Sequence, residues 1–263
     1  MKYYHYTSLD TFKKMLEKSI ETDKYGETNI VIQATHSKFL NDPTETRLFK
    51  EALLKAVTNF AKSKGEDLSE AEIEKFNYYY SIDGVFIFSL SVLEDNLIMW
   101  RGYGDNGRGV CLEFDFTPST PTNQDGIIYP IITPEECIYV NPDDFDIDHE
   151  IIEKTYNTLK SKQDTIKAAG KIAFGHRYGA IHKHEDYKSE QEFRIVLCDD
   201  SKTELREGTL IPHVKYPIPV QYLKRVIIGP RANVGYTKDL LSIVMRVKYI
   251  DTIQIERSKV NYK

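Results

Sequence analysis

Residues Val85-Phe86-Ile87-Phe88-Ser89-Leu90-Ser91 form a continuous apolar run that ends in hydroxyls. A strand covered on one face alternates apolar and polar residues, whereas a continuous run asks for cover on both faces. The stretch therefore predicts a central strand buried between layers, with its polar end where a site can form. Such a strand needs neighbours to pair with it and helices to cover it.

The flanking pattern supplies both. Met1–Tyr6 reads as an edge-like strand, followed by Thr7 or Ser8 as N-cap of a helix on which Leu9, Phe12, Met15 and Leu16 recur at helical spacing. Thr28–Ala34 reads as a strand. Phe39–Pro43 reads as a turn, with Asp42 placed to cap a long helix carrying Leu48, Phe49, Leu53 and Leu54 on one face. The polar segment Lys62–Ser69 breaks that helix before another through Ala71–Tyr79. Further strands are expected at Arg108–Phe114, Ile127–Ile132, Glu192–Leu197, Leu210–Val214, Arg225–Ile228 and Thr252–Glu256, with a helix near Lys238–Val247. Asp143–Ala169 is helical in pattern and highly charged, as a solvated layer over a sheet would be. Strands outnumber the crossover units a parallel fold needs. The expected class is α+β, a mixed, mainly antiparallel sheet with packed helices. At 263 residues, one elaborated domain spanning the chain is preferred to two small ones.

Charge and cysteine usage narrow the function classes. A formal charge of -5, spread without long blocks of one sign, leaves no basic stripe of the kind that tracks nucleic acid. Cys111, Cys137 and Cys198 are sparse and lack CxxC spacing, so they read as small buried hydrophobes in a reducing compartment. No apolar segment resembles a signal peptide or a membrane span, and a cytoplasmic protein without a membrane partner is expected.

The chain has no P-loop, no GxGxxG after a strand, no HExxH and no GxSxG. The glycine-rich segment 102–109 can cradle a phosphate, but a hairpin with an Asn106-Gly107 type I′ turn before the following strand is the simpler reading. His176, His182 and His184, near Glu185 and Asp186, match no established metal spacing, so no metal is expected. A metal-dependent hydrolase using those histidines stands as a third reading. Trp100 reads as core.

More informative are polar residues where structured elements meet: His5-Tyr6-Thr7 after the first strand, Ser89 and Ser91 ending the central strand, and Glu190-x-Glu192-x-Arg194 entering a later one. Each has a structural explanation of its own. Ser-Leu-Ser can be a satisfied strand end, and Glu192 can pair with a neighbouring cation. Together they point to one polar cleft built from residues far apart in sequence.

Tyr4-His5-Tyr6-Thr7-Ser8, Phe39-Leu40-Asn41-Asp42-Pro43-x-Glu45, Phe88-Ser89-Leu90-Ser91, Asn96-Leu97-Ile98-Met99-Trp100-x-x-Tyr103-Gly104 and Glu190-x-Glu192-Phe193-Arg194 occur in this order. In register, from about Lys2 to Pro230, they resemble the bacterial family called domain of unknown function 2971. A histidine after the first strand, hydroxyls on a central strand and a glutamate on a later one are in turn similar to the layout of the ADP-ribosyltransferase superfamily. That resemblance implies a split β-sheet gripping NAD as substrate, with a macromolecular acceptor or water, and toxin or phage-defence roles in which an antitoxin or defence partner is a candidate. It implies Glu192 as catalytic carboxylate, His5 as the residue orienting the adenosine ribose, and Ser89 or Ser91 as the central hydroxyl. Thr7 and Arg101 become candidates for the pyrophosphate, and Tyr6 or Tyr103 for stacking on nicotinamide. Glu190-x-Glu192 looks like the paired-glutamate motif of the arginine-type branch, leaving open which glutamate leads. The reading from another class is a non-catalytic nucleotide- or protein-binding sensor that keeps the cleft.

Overall fold

The computed structural model describes residues 1–17, 29–42, 47–80, 84–117, 132–161, 178–198, 203–206, 210–247 and 253–262. The strand expected at Ile127–Ile132 lies almost wholly outside these residues, as do 162–169 of the expected charged helix and His176.

The fold is α+β, with a mixed, mostly antiparallel open sheet. The strands are β1 (Lys2–Thr7), β2 (Asn29–His36), β3 (Val85–Ser91), β4 (Val110–Asp115), β5 (Glu135–Glu136), β6 (Ile138–Val140), β7 (His182–His184), β8 (Glu192–Cys198), β9 (Thr203–Leu205), β10 (Pro212–Pro219), β11 (Leu223–Ile228) and β12 (Gln254–Arg257). Ten of the described strands form one sheet, whose main path runs β12-β11-β4-β1-β3-β2-β10-β9, with β8 on β3 and β5 on β8. The β11–β12 pairing is parallel, and β6 and β7 form a separate parallel pair.

The apolar run is the central strand, and its continuity has the expected cause. Phe86, Phe88 and Leu90 enter the main core with Phe12, Met15 and Leu16 of α1 (Leu9–Glu17). Val85 and Ile87 pack on Ala180. Both faces of β3 are thus covered, and its side chains alternate between two clusters. A second apolar cluster joins α2 (Arg47–Ser63), α3 (Glu70–Tyr79) and α5 (His149–Lys160). Ser69 starts α3 with a capping box to Glu72. The remaining α-helices of the described residues are α4 (Leu97–Gly102) and α6 (Val234–Val247).

β1 is not the edge strand its position suggests. It pairs along its whole length with β4 and touches β3 at Tyr4↔Ser91, because Tyr3 and Tyr4 bury opposite faces. Its close approach to the start of β4 needs a glycine, since a Cβ on Gly109 would lie 2.1 Å from the Thr7 carbonyl oxygen. The segment before β4 is not a hairpin either: it joins α4 to β4, although Asn106 and Gly107 do adopt positive φ. Cys198 is exposed at the end of β8, so only Cys111 and Cys137 are buried as expected.

One topological detail creates the site. β8 pairs with β3 residue by residue, from Val85↔Cys198 to Ser91↔Glu192, and takes one edge completely. The opposite edge is shared: β2 pairs at His36↔Phe86 and Thr35↔Ile87, and β1 at Tyr4↔Ser91. Between these pairings β1 and β2 part, and Ser89 lies in the gap.

Candidate active site

The gap opens into a cavity of about 250 Å³ lined from β1 by Tyr4, His5 and Tyr6, from β2 by Thr35, and from β3 by Ser89 and Leu90. Phe39, Leu40 and Asn41 close one side, Met99 and Tyr103 another, and Lys183, Glu190, Glu192, Arg206 and Ile211 complete the wall.

His5 sits where the ladder is interrupted. Its Nδ1 is 2.8 Å from the Ser89 carbonyl oxygen, which the parting of β1 and β2 leaves available. A carbonyl only accepts, so Nδ1 carries the proton and the neutral ring keeps Nε2 as an acceptor. Phe88 stacks on the ring at 4.2 Å. Burial pushes the imidazole pKa down to about 4; the Ser89 hydrogen bond opposes this, and the Arg206 charge adds to it. The unfolded chain, with the ordinary value near 6.5, then binds more protons than the folded protein, so His5 stabilises the fold fully above that pH and progressively less as pH falls towards about 4. In urea titrations at pH 7 and pH 4, His5→Asn, which keeps a donor for the Ser89 carbonyl, is expected to lose about 1–3 kcal/mol less than wild type on acidification. Equal losses in both proteins would show that the imidazole is not held neutral.

The carboxylates line the same cavity from β8 and the turn before it. Gln191, in the left-handed region at φ 46, swings the chain into β8 and lets Glu190 and Glu192 converge on Lys183. Lys183 Nζ donates to Glu190 Oε2 and to Glu192 Oε2, each at 2.7 Å. Arg194 Nε donates to Glu192 Oε1 at 2.9 Å and its Nη2 to Oε2 at 3.0 Å. Burial alone would raise the Glu192 carboxyl, but Arg194 and Lys183 outweigh it and hold it at about 2. Tyr103 donates its hydroxyl to Glu190 Oε1 at 2.6 Å, while burial, then that carboxylate, keep the phenol protonated.

Residues 99–195 match the model of a family described as Protein of unknown function (DUF2971). The match supports that family relationship over less than half of the chain. Within it lie Tyr103, Lys183, Glu190, Glu192 and Arg194, and outside it His5, Ser89 and Arg206. No curated protein and no solved structure gives a significant match to the chain.

Of the residues singled out from sequence, the cavity brings together His5, Tyr6, Ser89, Tyr103, Glu190 and Glu192. It does not include Ser91, Thr7 or Arg101. Ser91 is fully buried at the β1 contact, its hydroxyl donating to the Glu190 carbonyl at 2.6 Å. Thr7 is buried in the β4 ladder, and Ser8 instead begins α1, its Oγ accepting from the Thr11 amide. Arg101 stacks its guanidinium 5.0 Å from the Tyr262 ring centroid. Tyr6 is pinned by its hydroxyl, which donates to the Leu93 carbonyl and accepts from the Asn96 amide, with its ring edge-on to Trp100. Its ring is almost wholly buried, whereas Phe39 is half-exposed on the cavity wall. Trp100 is fully buried, with Nε1 donating to Asp95.

Sequence reading missed Lys183 and Arg206. Of the histidines that match no metal spacing, His182 is buried among Phe49, Phe145 and Tyr178, its Nδ1 on the Tyr178 carbonyl. Among the described residues no group of three or more His, Cys, Asp or Glu is placed to hold a metal ion. No helix of the described residues is long and apolar enough to cross a membrane.

Proposed function

We propose that this cavity binds NAD and cleaves its nicotinamide–ribose bond, passing ADP-ribose to water or to a macromolecular acceptor. The observation that carries the reading is that His5 and Glu192, 187 positions apart in sequence, line one cavity at a split in the sheet. Bond cleavage builds an oxocarbenium-like charge on the ribose. A carboxylate fixed by Lys183 and Arg194 can meet that charge without reorganising, and its remaining lone pair can accept a ribose hydroxyl. His5 Nε2, as a fixed neutral acceptor, suits a second ribose hydroxyl. Ligand sites for drug-sized molecules span roughly 300–1,000 Å³. A cavity of about 250 Å³ therefore takes one end of a dinucleotide and leaves the rest along the surface.

One observation favours a second reading, a nucleotide-binding module without turnover. Three hydrogen bonds already engage the Glu192 carboxylate, which draws down its charge. Nicotinamide release from NAD by the purified protein, measured alone and with cell lysate as a source of acceptors, separates the two. Release is expected. Binding of NAD with no release in either mixture would overturn the catalytic reading in favour of the binding module.

A further inference from the structure

Counting the fully buried Arg194 that holds Glu192 from outside the lining, the cations around the cavity outnumber the carboxylates by one. Glu190 and Glu192 are matched by Lys183 and Arg194, which leaves Arg206 as an additional cation on the wall. Arg206 sits between β9 and β10, where its amide donates to the Ile211 carbonyl at 2.8 Å and its carbonyl accepts from Leu210 at 2.9 Å. Among the described residues its guanidinium has one hydrogen-bond partner, Thr35, whose Oγ1 accepts from Nη2 at 3.1 Å. Its Nε is buried and has no partner among them. A guanidinium carries five N–H donors in a rigid fork, and a neutral hydroxyl satisfies one while returning no charge. Burial accordingly lowers its pKa, and it acts on His5 across the cavity.

A partly buried cation that lines a cavity and has one neutral partner is costly unless a ligand supplies the counter-charge. The planar fork matches the oxygens of a phosphoryl group two at a time. The Thr35 hydroxyl fixes one Nη, so the side chain loses little freedom when the anion arrives.

We propose that Arg206 is the anion-binding residue of the cavity, taking a phosphoryl group of the ligand while His5 and Glu192 face its ribose. The assignment deepens the NAD reading and rests on it for the identity of the ligand. It also replaces Thr7 and Arg101, neither of which reaches the cavity, as the phosphate-binding group.

The test titrates the full chain by calorimetry with inorganic pyrophosphate, ADP-ribose and glutarate, the last as a carboxylate control. Pyrophosphate and ADP-ribose are expected to bind in competition, and glutarate not to bind. Arg206→Gln is expected to weaken both phosphoryl ligands by about ten- to hundredfold, the range for losing one charged hydrogen-bonding partner. Thr35→Val leaves the charge and frees the fork, and is expected to weaken them by about three- to tenfold; it keeps the test decisive where Arg206→Gln does not fold. Pyrophosphate failing to bind wild type, binding folded Arg206→Gln or Thr35→Val undiminished, or being matched by glutarate overturns the assignment. Pyrophosphate binding lost in Arg206→Gln, with no NAD turnover by wild type, supports Arg206 and overturns the cleavage reading. NAD turnover whose KM is unmoved by Arg206→Gln does the reverse.

Discussion

Glu192→Gln is expected to lower nicotinamide release by about 10³-fold, within the range for removing a group that stabilises charge in a transition state. Gln keeps the shape and one carbonyl acceptor but removes the charge. The same change disturbs the fold. Glu192 is the carboxylate that Arg194 grips twice and Lys183 once, with side chains almost wholly buried. Removing one member of a buried ion pair costs about 3–5 kcal/mol, and the retained amide puts this variant at about 3 kcal/mol. Release must therefore be compared at a temperature where circular dichroism shows both proteins folded. A folded variant with wild-type release would reduce Glu192 to a structural counter-ion. The acid limb gives an independent reading. A carboxyl held at about 2 against an ordinary 4.5 stabilises the fold fully above 4.5 and loses that contribution as pH falls towards 2. Denaturant titrations between pH 5 and pH 2 should show this loss in wild type and not in Glu192→Gln.

What could be read from the sequence followed from local pattern, and what could not was set by convergence. β3 and β8 are legible because short, nearly continuous apolar runs mark strands covered on both faces, and α3 because Ser69 and Glu72 form its capping box. His5 and Glu192 emerge because each stands at a junction of elements and because the ordered motifs resemble a known layout. Lys183 gives no such signal. In His182-Lys183-His184 it reads as surface, and it is buried only because β6 and β7 pair with each other and bring it against β8. Arg206 follows β9, three exposed residues with no periodicity, and enters the cavity only through the pairing of β10 with β2. Ser89 and Ser91 differ for the same reason. They share a face by the period of two, yet only Ser89 lies between the β1 and β2 pairings, and Ser91 is sealed beneath the Glu190 carbonyl.

Lys183→Met should be most destabilising at alkaline pH, and its penalty should shrink on acidification. Lys183 Nζ lies 2.7 Å from a carboxylate oxygen of Glu190 and 2.7 Å from one of Glu192, so those oxygens are at most twice that distance apart. Met fills similar space without charge. Two buried carboxylates then face each other with Arg194 compensating one, and one proton on the pair becomes favourable well above the usual carboxyl range. At pH 8 the variant is expected to be about 3–5 kcal/mol less stable than wild type. A carboxyl raised in the folded state binds protons that the unfolded chain does not, so the penalty shrinks as pH falls through the raised value. His5 costs both proteins stability on acidification, so urea titrations from pH 8 to pH 5 should show the variant losing less than wild type. Parallel curves would mean that water, and not Lys183, screens the two carboxylates. The variant also tests the charge count behind anion binding. With both glutamates ionised and Lys183 gone, the excess cation around the cavity is cancelled, and pyrophosphate affinity should fall at pH 8 and return once the pair of carboxylates takes up a proton.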